Sequence, residues 1–422
     1  MTEQTLAARA DRRLIRAVHH STRYVLAEVT APPASAAAVR PRVNVAFVLD
    51  RSGSMGARDK FTLAAQAVRD GIGRLAPTDR FSVVVYDEQV DVVAPGRPAT
   101  ADARADALRA LGQVEPRGST DLGGGWLRGA EQVASELDPE AVNRVLLLTD
   151  GLANVGITHP AELNHHAGEL RARGVSTSTF GVGLDFDEGL LAGMADAGGG
   201  AFRFIGTPGE IPALIGREVG ELLEVTARGV ELRIAGPEGL RVECLSPFPV
   251  EATSRTSIVH LGDLVADQVV RLVLAIGFPL GEVGREIGAE LSLADRDGRL
   301  AGSATLTWTF APGHANDGQE RDREVDRAVA QAYADRARRE AVELNRRGAW
   351  DEARSALQGV ARRTRAYAGS DPVLRGLVAE LEREADAWAV ARPEMDRKVA
   401  YARSTLSLKS RGSDGAVFRR ER

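Results

Sequence analysis

Carboxylates and hydroxyls at alternate positions, interleaved with glycine, mark the first stretch of this chain that could do chemistry: Asp50-Arg51-Ser52-Gly53-Ser54. Aspartate offers a hard anionic oxygen and serine a hard neutral one, so such a cluster suits a small divalent cation rather than a soft metal. The same residue types are common helix N-caps, and the spacing alone does not choose between the two roles. Two other stretches carry matching chemistry. Gly118-Ser119-Thr120-Asp121 stands before a glycine-rich segment, and Thr149-Asp150-Gly151 follows an apolar run. Together these three loops would make an all-oxygen site of about six ligands, suited to Mg²⁺ with Mn²⁺ next.

Such a site needs elements that bring distant loops to one place. The runs Val43–Asp50 and Val142–Thr149 are almost continuously apolar and each leads to a carboxylate. Strands buried on both faces of a parallel sheet look like this. From Val43 on, strand-like and helix-like periods alternate: helices over 60–75, 101–111, 122–137, 160–173, 187–197 and 208–225, strands over 81–86, 175–182 and 201–205. A further strand over 89–93 reads as antiparallel at the edge. The pattern predicts a doubly wound, mainly parallel α/β sheet. Ligands of such sheets sit past the carboxyl ends of the strands, where the strand order reverses. Asp50 and Asp150 would then share one rim.

Residues 41–226 resemble the von Willebrand factor A domain, also called the integrin I-like domain, with its metal-ion-dependent adhesion site. That family's pattern is D-x-S-x-S, then a Thr, then an Asp, and Asp50, Ser52, Ser54, Thr120 and Asp150 match all five positions. The resemblance implies that Ser52 and Ser54 bind Mg²⁺ (or Mn²⁺) directly, that Thr120 does so in the ligand-competent state, and that Asp50 and Asp150 act largely through waters. It also implies a partner protein whose Asp or Glu fills the open coordination position. The wider layout is similar to bacterial cytoplasmic proteins of this class.

Beyond 226 the period changes to short alternating segments at 230–234, 240–245, 257–261, 269–276, 287–293 and 304–310, the expectation for an antiparallel β-sandwich over 227–312. Asp297-Gly298 is a type I′ hairpin signal between the last two. Residues 1–40 read as a loose arm, a strand at 24–29 and an Ala/Pro-rich linker; that strand would join the sandwich, leaving the α/β domain inserted within it. A C-terminal helical segment, a hairpin region, spans 319–405, and 406–422 reads as a disordered tail.

Other motifs have plainer readings. Asp121 suits helix-dipole stabilisation and Gly123-Gly124-Gly125 close packing. Asp185, Asp187 and Glu188 read as caps. His165-His166 and His19-His20 lack zinc spacing. The only lysines, Lys60, Lys398 and Lys409, lie outside any G-x-x-x-x-G-K-[ST] loop, so no P-loop ATPase is present in this sequence. A net charge of -5 gives no general pull toward nucleic acid or anionic membrane. The single Cys244, a charged start and no long apolar run predict a reduced, cytoplasmic setting. The leading expectation is a non-enzymatic scaffold or adaptor, with loops around Arg51, Trp126 and Asn154 setting specificity. The alternative is an accessory subunit of an AAA+ or chelatase-like complex whose ATPase is a separate chain.

Overall fold

The computed structural model describes residues 5–34 and 40–420; residues 1–4 of the expected arm, 35–39 of the linker and 421–422 of the tail lie outside the described residues. The chain divides into two compact units, Pro33–Arg228 and the stretches flanking it. Among the described residues no helix is long and apolar enough to cross a membrane.

The N-terminal stretch corrects one expectation. Rather than a loose arm, it forms β1 (Leu6–Ala10) and β2 (Leu14–Arg16) ahead of β3 (Ser21–Thr30). Leu6 pairs with Val29 and Ala10 with Val25 across an antiparallel ladder. Only Leu6 of β1 is buried, which is why an edge strand of this composition reads as polar.

The Pro33–Arg228 unit contains β4 (Val43–Asp50), β5 (Arg80–Tyr86), β6 (Val90–Pro98), β7 (Val142–Thr149), β8 (Ser176–Val182) and β9 (Gly199–Ile205). Its helices are α1 (Lys60–Arg74), α2 (Ala101–Leu111), α3 (Leu122–Ala134), α4 (Pro160–Ala172), α5 (Glu188–Ala197) and α6 (Ile211–Leu223). The sheet order is β6-β5-β4-β7-β8-β9, so the chain starts at the centre, runs to one edge and returns to build the other side. Every pair is parallel except β5–β6, the antiparallel edge expected from the sequence. All eight residues of β4 and of β7 are buried, as strands covered on both faces must be. The order reverses between β4 and β7, and there the loops after both strands meet.

Helix α3 sets one of those loops. A Cβ on Gly125 would lie 2.4 Å from the Tyr86 ring, and one on Gly129 would lie 2.2 Å from Val48 Cγ2. The glycines therefore let α3 approach the sheet closely, which fixes the 118–121 loop at its start. Gly129→Val is expected to cost about 1–3 kcal/mol through overpacking, read as a lower urea midpoint with an unchanged slope.

The strand β10 (Val225–Ala235) begins within the Pro33–Arg228 stretch and runs on into the second unit, which continues with β11 (Arg241–Cys244), β12 (Val250–Ala252), β13 (Thr256–Val265), β14 (Val269–Phe278), β15 (Glu286–Ala294) and β16 (Gly302–Ala311). Two sheets result, ordered β1-β3-β14-β11 and β12-β13-β10-β15-β16-β2. They meet where Phe278 and Trp308 stack edge to face, ring centres 4.9 Å apart. The 24–29 stretch lies within β3 and pairs with β14, Val25 facing Leu274 and Val29 facing Val270. The hairpin β15–β16 forms, but not through a type I′ turn. Asp297 has no positive φ, Gly298 has φ +65°, and the Gly298 N–H donates to Asp295 O at 3.3 Å. The connection is longer than the two-residue motif supposes.

Four long helices follow the short α7 (Gly313–Gly318): α8 (Arg323–Arg346), α9 (Trp350–Ala368), α10 (Pro372–Trp388) and α11 (Glu394–Leu408). Val325, Val329 and Ala332 of α8 pack with Leu408 against Leu26, Val273 and Ala275, giving the four-stranded sheet a second covered face. The tail is ordered as far as residue 420, against expectation. The Val269 N–H donates to Phe418 O (2.8 Å), and the Arg420 N–H to Asp267 O (2.9 Å). Backbone pairing supplies what its polar composition could not reveal.

Candidate metal centre

Leu49 pairs with Leu148, so the strand ends carrying Asp50 and Asp150 are neighbours. Both carboxylates are buried, Asp50 0% and Asp150 1% exposed. Each Asp50 oxygen accepts from an uncharged donor: Oδ1 from the Ser52 N–H (2.7 Å) and Oδ2 from Thr149 Oγ1 (2.6 Å). Burial outweighs those bonds and, with Asp150 nearby, pushes the Asp50 carboxyl up to about 6. The Asp150 oxygens are taken differently. Oδ1 accepts from Ser54 Oγ at 2.6 Å, and Oδ2 from the Lys60 ammonium at 2.5 Å. Ser52 Oγ and Ser54 Oγ are 3.1 Å apart. Thr149, Asp50, Ser52, Ser54, Asp150 and Lys60 thus form one connected chain of polar groups.

Thr120 arrives from the third loop and is 4% exposed. Its Oγ1 lies 3.4 Å from where a Gly151 Cβ would stand, next to Asp150. Its carbonyl accepts from the Asn154 and Val155 N–H groups, both at 3.2 Å. The Gly53 N–H donates to Gly118 O at 3.1 Å. The five residues singled out from the sequence are therefore brought to one rim from three loops.

Capping accounts for few of these side chains. Ser52 precedes the tight turn Gly53–Asp59 without a side-chain capping bond. Helix α1 begins after Asp59, which makes none either. Asp121 and Asp187 do cap, accepting from the Gly124 and Leu190 N–H groups at 2.9 Å. The donors at the rim are carboxylate and hydroxyl oxygens, and one ammonium stands against two buried carboxylates; this set fits a small hard divalent cation. Among the described residues no three His, Cys, Asp or Glu side chains cluster as a metal site, so any ion here depends on the hydroxyls.

Two of the residues expected to set specificity do other work. Trp126 is fully buried, with its Nε1 donating to Thr177 Oγ1 at 3.2 Å, because the packed face of α3 carries it into the core. Arg51 is 6% exposed and reaches Asp87 (3.1 Å) and Asp91 (2.6 Å). Asn154 is exposed, and Leu152 and Val155 beside it are 49% and 38% exposed. Sequence reasoning missed Lys60 and Asp87, and gave Thr149 no role of its own. Asp87 follows β5 as closely as Asp150 follows β7, a strand-end carboxylate the pattern could have flagged. It is buried and receives Arg51, Arg117 Nε (2.9 Å) and the Gln89 N–H (2.6 Å).

Residues 44–213 match the profile of the von Willebrand factor type A domain. Over 195 residues the chain is 29% identical to the uncharacterised protein YfbK of Escherichia coli K12, an alignment covering 46% of this chain and 34% of that protein. The match thus spans about a third of that relative's length. Two solved structures share the fold along nearly all of the chain. A von Willebrand factor type A protein from Catenulispora acidiphila aligns with a TM-score of 0.73 at 21% identity, covering 96% of this chain and 97% of that one. The ArnB paralog VWA2 from Sulfolobus acidocaldarius aligns with a TM-score of 0.63 at 17% identity, covering 97% and 98%.

Proposed function

We propose that this chain, whose residues 44–213 form a von Willebrand factor type A domain, is a Mg²⁺-dependent protein-binding module acting as a scaffold or adaptor. One observation carries the reading: Asp50 is a fully buried carboxylate met by an amide and a hydroxyl, on a rim that gathers three more hydroxyls and a second carboxylate. Asp50, Ser52, Ser54, Thr120 and Asp150 would hold the cation, with Mn²⁺ as a substitute. When bound, the ion supplies an open position for an Asp or Glu of a partner protein, a charge-assisted contact at the centre of an interface. Thr149 and the Ser52 N–H orient Asp50, and Ser54 orients Asp150. The exposed Asn154, Leu152 and Val155 are candidates to meet the partner around that contact. The site offers oxygen ligands but no separate general base, which favours binding over catalysis. Burial pushes the Cys244 thiol up to about 12, which leaves it poorly reactive; a reduced, cytoplasmic setting is part of the proposal.

The test uses the full chain as bait, with Mg²⁺, with EDTA, and with Mg²⁺ restored, followed by direct binding to the recovered partner. Reversible loss in EDTA is expected. Binding that persists in EDTA overturns the proposal, and an ATPase recovered only with Mg²⁺ would favour an accessory subunit of an ATP-driven complex. Folding should depend little on the ion. At a free Mg²⁺ concentration ten times its dissociation constant, the gain is about 1.4 kcal/mol, visible as a small rise in melting temperature.

A further inference from the structure

Among the described residues Lys60 is the one cation bonded to the candidate metal ligands, and its surroundings make that placement costly. It is the first residue of α1, where the positive end of the helix dipole disfavours an ammonium. The backbone before it is strained: Arg58 (φ 52°, ψ 38°) and Asp59 (φ 57°, ψ 21°) are consecutive left-handed residues, and neither is glycine. Asp59 gives no side-chain capping bond in return. What this geometry achieves is the delivery of Nζ to within 2.5 Å of Asp150 Oδ2, with the Lys60 side chain only 13% exposed and that of Asp150 at 0%. A strained, uncapped helix entry persists only where surrounding interactions hold it, and this ion pair is one interaction made at that entry.

We propose that Lys60 is the internal counter-ion of the rim and sets how tightly the chain holds a divalent cation. The inference rests on the metal-binding reading above and deepens it. With Lys60 present, Asp50 and Asp150 together carry a single uncompensated negative charge, and Asp150 already has both oxygens engaged, by Ser54 and Lys60. An incoming dication is repelled by the ammonium and competes with it for Asp150. Once the ion is held, the rim carries net positive charge, which a carboxylate from outside neutralises. Lys60 therefore weakens the bare metal site and strengthens its demand for an acidic ligand. Arg58 and Asp59 tie this ion pair to the backbone of the turn that carries Ser54.

The experiment is calorimetric titration of Mg²⁺, and separately of Mn²⁺, into the EDTA-stripped and dialysed full chain. It compares the wild type, Lys60→Met and Lys60→Arg, with a thermal melt of each in EDTA and in Mg²⁺. Removing a unit charge from this partly screened position should tighten Mg²⁺ binding on the order of tenfold. Lys60→Met should also melt lower than wild type in EDTA and gain more from Mg²⁺. Lys60→Arg keeps the charge and should stay near wild type in affinity. Unchanged or weaker Mg²⁺ binding by Lys60→Met, with normal binding by the wild type, overturns the role of Lys60 and leaves the metal-binding reading standing. Absence of Mg²⁺ and Mn²⁺ binding by both proteins overturns both. Binding by Lys60→Met alone supports the inference in its strongest form.

Discussion

Asp50→Ala is expected to abolish Mg²⁺-dependent partner capture while leaving the chain folded. Without Asp50 the ion is not held, and the charge-assisted contact it makes with the partner goes with it; losing such a contact costs about 2–5 kcal/mol, which is roughly thirtyfold to several thousandfold in affinity. The effect on folding should be far smaller, because two terms oppose each other. The Ser52 N–H and Thr149 Oγ1 lose their acceptor, a loss of about 1–3 kcal/mol for buried groups. Against this, the ionised carboxylate is itself unfavourable in the ion-free protein, since its folded value near 6 lies above the ordinary value of 3.8. Deleting the charge relieves that burial penalty, which offsets part of the loss. A circular-dichroism melt in EDTA should place the variant within a few degrees of wild type. Calorimetry with Mg²⁺ and surface capture of the partner should both show loss. A variant that melts much lower than wild type would mean Asp50 is primarily a structural group.

Much of this arrangement was readable from residue pattern because the site and the fold share one cause. Strands buried on both faces must be continuously apolar, so Val43–Asp50 and Val142–Thr149 announced both the central sheet and its polar ends. The glycines of α3 read as packing residues, and the close approach of Gly125 to Tyr86 is the contact they allow. What the pattern hid was pairing between distant segments. β1 and the 406–420 tail look loose because edge strands and bridges are held by backbone hydrogen bonds, which leave no apolar signature. From the sequence Trp126 is expected beside the partner-facing loops, yet it lies on the buried face of α3. Lys60 and Asp87 were missed for a related reason. Their roles come from ion pairs that join separate loops, Lys60 with Asp150 and Asp87 with Arg51 and Arg117, and no local spacing encodes such partners.

Asp87→Ala should produce the largest loss of stability among substitutions near the rim. Its carboxylate is buried between two arginines, with Arg51 Nε at 3.1 Å and Arg117 Nε at 2.9 Å, and it accepts the Gln89 N–H at 2.6 Å. Without it, the buried Arg51 keeps, among the described residues, only its ion pair with Asp91. Breaking one side of a buried pair typically costs about 3–5 kcal/mol, and Asp91 reduces that toward the lower figure. Arg51 also lies between Asp50 and Ser52, and its carbonyl accepts the Arg117 N–H at 2.7 Å. The loss should therefore spread to the rim, lowering Mg²⁺ affinity as well as the urea midpoint. The pH dependence gives a second readout. Burial alone would raise the Asp87 carboxyl, but the bonds from Gln89, Arg117 and Arg51 outweigh it and hold the group below the ordinary aspartate range. A depressed folded value contributes stability above about pH 4 that is lost as pH falls through that lower value. Urea titrations between pH 7 and pH 3 should show this acid step in the wild type and a shallower one in Asp87→Ala. Equal acid slopes would assign the loss to packing rather than to the ion pairs that hold the loop.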